Sequence, residues 1–233
     1  MPRNAFLLPA ICAHLGLAGV ALADPVVVEL FTSQGCSSCP PADAMLSELA
    51  DREDVIALSL HVDYWDWIGW ADAFAHPAST ARQRAYAGGE KSNVVYTPQF
   101  VVGGSDRIEG ADGMKLADVI AAHKAAPSGA LRMAMTARGR EVVAVGTAGS
   151  RGGQIVLVTY RPEASVQIEA GENAGRAMAY SNVVVGWDVL GQWDGREAAF
   201  VLPDPPPGLR QAVIAQAWHD GAPGAVLGAV RAD

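Results

Sequence analysis

Two cysteines three positions apart, Cys36 and Cys39, are the residues of this chain best suited to chemistry. A C-x-x-C pair serves in thiol–disulfide exchange, as a structural disulfide or as part of a metal site. Two cysteines do not complete a tetrahedral zinc site, and the sequence holds no second C-x-x-C. A disulfide closing so short a ring gains only about 2 kcal/mol from loop entropy. The spacing therefore favours exchange, in which one thiolate attacks a disulfide and the other resolves the mixed disulfide.

The segments beside the pair predict how the thiols are positioned. An apolar, β-branched run at 26–31 predicts a strand before the pair, and the pattern at 41–49 predicts a helix after it. A helix N-terminus carries partial positive charge, which stabilises a thiolate. Pro41 disfavours helical geometry at Pro40, so we expect the helix to begin late and to act weakly on Cys36.

The first half of the chain alternates strands and helices. Strands are predicted at 26–31, 54–62 and 94–102, helices at 41–49, 77–86 and 113–123, and a hairpin around Gly103-Gly104. Strand–helix–strand units favour a parallel pair with a right-handed crossover, and the hairpin adds an antiparallel edge.

Beyond residues 127–129 the pattern changes to short strands separated by turns. They are predicted at 131–136, 141–147, 154–160, 165–168, 178–187, 198–202, 211–218 and 226–230. Such spacing is typical of a β-sandwich or barrel. We therefore expect an α/β domain at 24–127 and a mostly antiparallel, β-sandwich-like domain at 128–233.

Residues 1–23 have the pattern of a signal peptide. Arg3 precedes an apolar run, and Ala21-Leu22-Ala23 matches a cleavage site. Cleavage would remove Cys12 and, through Arg3, change the formal net charge from −8 to −9. We expect a periplasmic or secreted protein without a membrane span after cleavage. So acidic a surface also argues against nucleic acid as a partner.

The pair and its surroundings resemble the thioredoxin superfamily, through the strand, Cys36-Ser-Ser-Cys39, a later Thr97-Pro98, a glycine hairpin and a helix. More narrowly, 29–43, 61–66 and 96–99 resemble a family of bacterial secreted proteins labelled DUF1223, and the resemblance extends through 173–176 and 182–184. The resemblance implies a thioredoxin-like fold for 24–127. It also implies a cis peptide at Pro98, with Thr97 and Pro98 docking substrate. Gly35 departs from the aromatic residue that thioredoxins have before the first cysteine.

Three further features have both a chemical and a structural interpretation. Glu29 is either a proton acceptor for the resolving thiol or a hydrogen-bonded strand residue. His61 forms an acid–base couple with Asp63, or joins Cys36 and Cys39 as a metal ligand, or is structural. The aromatic residues at 64, 65, 67, 70 and 74 either wall a peptide groove or pack the loop onto the core.

The leading functional prediction is an exported thiol–disulfide oxidoreductase. Cys36 attacks, Cys39 resolves and Glu29 relays a proton, with a thiol or disulfide protein as partner and no bound cofactor. One alternative is a copper-binding protein using Cys36, Cys39 and His61, because thiolates and imidazole suit Cu(I). Another is a non-enzymatic envelope binding module in which the C-terminal half does the work.

Overall fold

A computed structural model describes residues 24–125, 131–136, 139–145 and 152–232. Its helices are Pro40–Ala50 (α1), Pro77–Gly89 (α2) and Gly113–Ala125 (α3), with a short 3₁₀ helix at Asp66–Ile68. The strands are Val26–Thr32 (β1), Val55–His61 (β2), Gln99–Val102 (β3), Asp106–Glu109 (β4), Leu131–Thr136 (β5), Gly139–Ala144 (β6), Gly153–Gln167 (β7), Ala177–Trp193 (β8), Ala198–Val201 (β9), Arg210–His219 (β10) and Ala222–Arg231 (β11). The signal-peptide prediction and the boundary near residue 128 lie outside these residues. In the described part, no helix is long and apolar enough to span a membrane.

Eight strands form one continuous sheet in the order β11-β10-β7-β8-β2-β1-β3-β4, and β5, β6 and β9 form a second, small sheet. Strand β1 pairs in parallel with β2 along its whole length and antiparallel with β3. Strand β8 joins the edge of β2 through a parallel pair, Ser59 with Val183. The side chain of Asn182 strengthens this junction, since its Nδ2 donates to the carbonyl oxygen of Ala57 at 2.9 Å.

The predicted fold class, a thioredoxin-like domain followed by a separate β-sandwich-like domain, is wrong. The chain is mostly β, with 45% of its residues in strands, and its large sheet curls and takes strands from both halves. The physical reason lies in β2, whose residues are all buried. A strand buried on both faces is typical of the interior of a sheet, so its free edge needs a partner. Strand β8 supplies that partner.

The C-terminal strands are also longer than their sequence pattern predicts. The strands predicted at 154–160 and 165–168 are one strand, β7, although Pro162 lies within it. Strand β10 pairs with β7 only over 153–160, so the edge of β7 near Pro162 has no β10 neighbour. Proline is tolerated at such an edge because no ladder bond needs its missing N–H. Strand β7 therefore continues past the proline and pairs with β8 as far as Gln167.

Alternation along β1 and β2 sends successive side chains to opposite faces of the sheet. Val28 and Leu30 pack with Ala42 and Leu46 of α1 on one face, which we call the α1 face. Phe31 and neighbouring odd-numbered β1 residues lie on the other face, the α2 face, with Tyr86 of α2 and residues of β7, β8, β10 and β11. The sheet curls so that the C-terminal strands lie over the α2 face. A contact that shows this curl is the hydrogen bond from the backbone N–H of Val226 in β11 to the carbonyl of Gly103, at 2.8 Å.

A buried ion pair lies on the α2 face. Glu29 is fully buried, and its two carboxylate oxygens accept from Arg82 at 2.5 and 2.8 Å. The Tyr86 hydroxyl also donates to Glu29, at 2.7 Å, and Arg82 donates to Gln216 of β10 at 2.9 Å. The guanidinium stacks on Trp187 of β8, 3.7 Å from the ring centroid. This cluster therefore ties β1, α2, β8 and β10 together.

Replacing Glu29 by glutamine should destabilise the fold strongly. The substitution leaves the Arg82 guanidinium buried without its counter-charge, which costs on the order of 3–5 kcal/mol. Equilibrium denaturation of E29Q measures this. The matched control is E109Q, because Glu109 is an exposed strand glutamate. A loss below about 1 kcal/mol in E29Q would contradict the assignment.

Candidate functional site

Cys36 and Cys39 form a disulfide with an S–S distance of 2.11 Å, and their Cα atoms lie 5.4 Å apart. Cys39 is the N-cap residue of α1, and the helix begins at Pro40, one residue earlier than predicted. Its first N–H groups have no intrahelical partner, so prolines at the first two positions lose no helical bond. The Cys39 carbonyl accepts the first bonds, from the N–H groups of Ala42 and Asp43. The pair is therefore held at the helix N-terminus.

The two sulfur-bearing residues are buried, although the serines between them are exposed. Cys36 is 2% exposed and Cys39 is 0% exposed. The loop between β7 and β8 covers them through Asn173, itself buried. The Asn173 Nδ2 donates to the carbonyl oxygens of Gln34 at 2.9 Å and Cys36 at 3.0 Å. A residue from the C-terminal half thus holds the backbone of the cysteine loop.

Asp72 anchors the loop that leads into Cys36. One carboxylate oxygen, Oδ2, accepts from the backbone N–H of Gln34 at 2.8 Å and contacts His61 Nδ1 at 2.7 Å. The other oxygen accepts from the backbone N–H of Phe74 at 2.8 Å. The side-chain oxygen of Gln34 accepts from Trp70 Nε1 at 2.8 Å. Position 34 is therefore fixed through both its backbone and its side chain.

His61 is fully buried behind this loop. A carboxylate accepts hydrogen bonds, so the Nδ1 that faces Asp72 carries a hydrogen. The other nitrogen, Nε2, is buried and has no hydrogen-bond partner among the described residues. The rings of Phe74 and Tyr180 pack edge-on against the imidazole. His61 thus pairs with Asp72, while Asp63 accepts from the Thr80 hydroxyl at 2.6 Å.

Asp43 lies on the same buried side of the sheet. Its Oδ1 accepts from the Thr32 hydroxyl at 2.8 Å, whereas Oδ2 is buried without a partner in the described part of the chain. Burial raises the pKa of Asp43 to about 6, with His61 and the Thr32 hydrogen bond acting in the opposite direction and Asp72 adding to the rise. Burial, and then the carboxylates of Asp43 and Asp72, also raise the pKa of Tyr180 well above its usual range. Asp43, His61, Asp72 and Tyr180 form one electrostatically coupled group, named here the acid–imidazole cluster.

The structure separates Glu29 from this cluster. Glu29 belongs to the α2 face, where Arg82 and Tyr86 occupy its carboxylate, whereas Thr32 and Asp43 lie on the α1 face. None of the hydrogen bonds described for Glu29 reaches the cysteine pair. Of the two interpretations of Glu29, the geometry supports the hydrogen-bonded strand residue.

Thr97 and Pro98 are linked to the cysteine loop through Trp65. The peptide bond between them is cis. The Trp65 indole N–H donates to the Thr97 hydroxyl at 2.8 Å. A Cβ added to Gly35 would lie 3.3 Å from the Cβ of Trp65. Trp65 therefore lies close beside Gly35, where a side chain would be in tight contact with it.

The other aromatic residues of this segment mostly pack. Trp70 bonds to Gln34 and Phe74 packs on His61, as described above, while Tyr64 donates to Gln83 at 3.1 Å. The exception is Trp67, which is 82% exposed. The segment therefore builds the wall of the site, not an open aromatic groove.

The copper alternative concerns reduced thiols, whereas the structure shows the oxidised pair. Within the described residues no group of three or more His, Cys, Asp or Glu side chains could hold a metal ion. Both thiols are in the disulfide, which removes the thiolates that Cu(I) prefers.

Sequence reasoning did not select Asp43, Asp72, Gln34 or Asn173 as site residues. A signal existed for Asp43, because it follows Cys39 by four positions and so shares its face of α1. Asp72 and Asn173 lie 33 and 134 positions beyond Cys39, and only tertiary structure brings them to the pair.

Replacing Asp43 by asparagine should change how stability depends on pH. Because the pKa of Asp43 is higher in the folded state, its protonated form stabilises the fold. This contribution to stability is fully present below the unfolded pKa of 3.8 and is lost as the pH rises through about 6. A shift of about two units corresponds to about 3 kcal/mol. The free energy of unfolding of D43N relative to wild type should therefore rise by about 2–3 kcal/mol from about pH 4 to about pH 7.5. Denaturant titrations across this range test it.

The control for this measurement is E48Q, which makes the same change at an exposed position of α1. Its difference from wild type should stay flat over the same pH range. A flat difference for D43N as well would contradict the raised pKa.

Comparison with known proteins supports a family but no activity. The chain is similar to a crystal structure of an Agrobacterium tumefaciens protein, with 31% identity, a TM-score of 0.75, and coverage of 91% of this chain and 95% of that one. It is also similar in fold to HBP35 of Porphyromonas gingivalis, with 13% identity, a TM-score of 0.58, and coverage of 91% and 75%. No functionally curated protein matches the sequence.

The sequence profile of one family matches residues 27–216, which include β1, the cysteine pair, the acid–imidazole cluster and most of the large sheet. Its description is "Protein of unknown function (DUF1223)". The chain belongs to the DUF1223 family.

Proposed function

We propose that this protein carries out thiol–disulfide exchange through Cys36 and Cys39. The observation that carries the proposal is the Cys36–Cys39 disulfide at the N-terminus of α1, beside buried titratable side chains. A helix N-terminus favours thiolate, the form that attacks disulfides. A purely structural staple of this ring size gains little loop entropy, as noted above. The order of strand, cysteine pair and helix also resembles that around the redox-active cysteines of the thioredoxin superfamily, which supports the proposed exchange.

The reaction is written for the reduced protein. The Cys36 thiolate attacks a partner disulfide, forms a mixed disulfide and releases one partner thiolate, which takes a proton from solvent. Cys39 then loses its proton and attacks the Cys36 sulfur, which forms the Cys36–Cys39 bond and releases the second partner thiolate. Two electrons pass from the protein dithiol to the partner disulfide. The reverse sequence oxidises a partner dithiol.

The proposed partner is a protein thiol or disulfide outside the cytoplasm, where a close cysteine pair can form a disulfide. The N-terminal signal-peptide pattern supports export to the periplasm or beyond. Because Cys36 is 2% exposed, exchange also requires that the Asn173 loop move from the cysteine loop.

Reduced protein should reduce insulin disulfides, and C36S should abolish the activity because it removes the attacking thiol. In C39A, Cys36 should still attack the partner disulfide, but no second thiol is present to resolve the mixed disulfide. This variant should therefore accumulate mixed disulfides that an added thiol releases. The reduction potential, measured against glutathione buffers, separates exchange from a structural role. A potential well below about −300 mV without insulin reduction would refute the proposal.

Replacing Asn173 by alanine should speed reduction of the disulfide. The variant loses two hydrogen bonds that hold the carbonyl groups of Gln34 and Cys36, which costs about 1–3 kcal/mol and favours opening of the loop. The rate of reduction by dithiothreitol should rise several-fold. N93A, at an exposed asparagine, is the matched control and should react like wild type. Equal rates for N173A and wild type would show that Asn173 does not limit access.

A further inference from the structure

In the closed site, the resolving cysteine has no direct contact with water, since Cys39 is 0% exposed. If closure of the disulfide takes place in this buried setting, the proton of Cys39 passes first to a protein group. Glu29, the acid favoured by sequence, is on the opposite face of β1, and both its oxygens are engaged by Arg82. Another buried base is needed.

Asp43 lies one helical turn from Cys39. It follows Cys39 by four residues, its N–H donates to the Cys39 carbonyl, and both residues are buried. Its Oδ1 is engaged by Thr32, but Oδ2 is buried and has no partner among the described residues. An unpartnered carboxylate oxygen in a buried site is costly, and such a group is a candidate for a chemical role.

Four polar groups from different elements interact with Asp43 by a hydrogen bond or electrostatically. Thr32 comes from β1, His61 from β2, Tyr180 from β8 and Asp72 from the loop after the 3₁₀ helix. His61 is held by Asp72 through Nδ1, which leaves Nε2 without a partner in the described chain. The electrostatic effect of His61 favours the ionised Asp43, whereas that of Asp72 opposes it. A base with a pKa near the working pH is suited to proton transfer.

We propose that Asp43 accepts the proton of Cys39 when the disulfide closes. This inference rests on the proposed exchange function. In the step, the Cys39 S–H bond breaks, the proton moves to Asp43, and the Cys39 sulfur bonds to Cys36 while the partner thiolate leaves. The partner disulfide is the oxidant, and Asp43 afterwards returns the proton to solvent as the site opens. In the reverse direction protonated Asp43 protonates Cys39 as the disulfide breaks.

The experiment uses the reduced full-length protein and the chromogenic aromatic disulfide DTNB in stopped flow. The first thiolate released reports attack by Cys36, and the second reports closure by Cys39. In wild type the closure rate should fall below a break near pH 6, where Asp43 becomes protonated. In D43N the break should disappear and closure at neutral pH should slow by about 100-fold, as expected for loss of a general base. The first phase should be unchanged.

Two further variants keep the test decisive if D43N folds poorly. H61Q removes the group that favours ionised Asp43, so the break should move to higher pH while folding is checked by circular dichroism. D43E restores a carboxylate and should recover part of the closure rate. E48Q is the control on the same helix and should match wild type.

The outcomes separate this inference from the proposed function. Absence of both phases in the wild type would refute exchange itself. A normal first phase, with closure of D43N and H61Q showing the pH dependence and rate of wild type, would refute the role of Asp43 and leave exchange standing.

Discussion

The ion pair of Glu29 and Arg82 is the interaction on which the rest of the fold depends. A carboxylate in the middle of a buried strand is tolerated only with a close counter-charge and further hydrogen bonds. Arg82 and Tyr86 supply these from α2, and Gln216 and Trp187 complete the surroundings of Arg82 from β10 and β8. Because this ion pair is buried, α2 and the C-terminal strands β8 and β10 pack around it on the curled sheet.

Strands β1 and β2 divide the buried polar groups between two faces with different tasks. The α2 face holds a carboxylate that is fully paired, which suits stability. The α1 face holds Asp43 and His61, each with one unpartnered atom, beside the cysteine pair. A fully satisfied network stabilises a core, whereas a partly satisfied one indicates strain or chemistry. The buried polar groups of the α1 face are therefore better suited to chemistry than the ion pair of the α2 face.

Local structure followed closely from sequence pattern. Helices α2 and α3 and strands β5, β9 and β10 lie within a few residues of their predicted bounds, because hydrophobic period and proline or glycine positions act locally. Strand pairing did not follow, since Ser59 and Val183 meet across 124 positions and single-sequence pattern carries no information on such partners. Glu29 shows the same limit at the site. Its apolar neighbours predict burial correctly, but only the position of Arg82 on α2 shows that the carboxylate is already paired.

The sequence by itself determined the cysteine pair, its place between a strand and a helix, and the family, because these are local and depend on a few residues at short spacing. Tertiary structure decided whether the halves are separate, which partners Glu29 and Asp43 have and how accessible the thiols are. Each of these depends on contacts between distant segments: β8 on β2, Asp72 on Gln34, and Asn173 on Cys36. Such contacts are set by packing of whole faces of the sheet, and burial in turn sets the ionisation of Asp43.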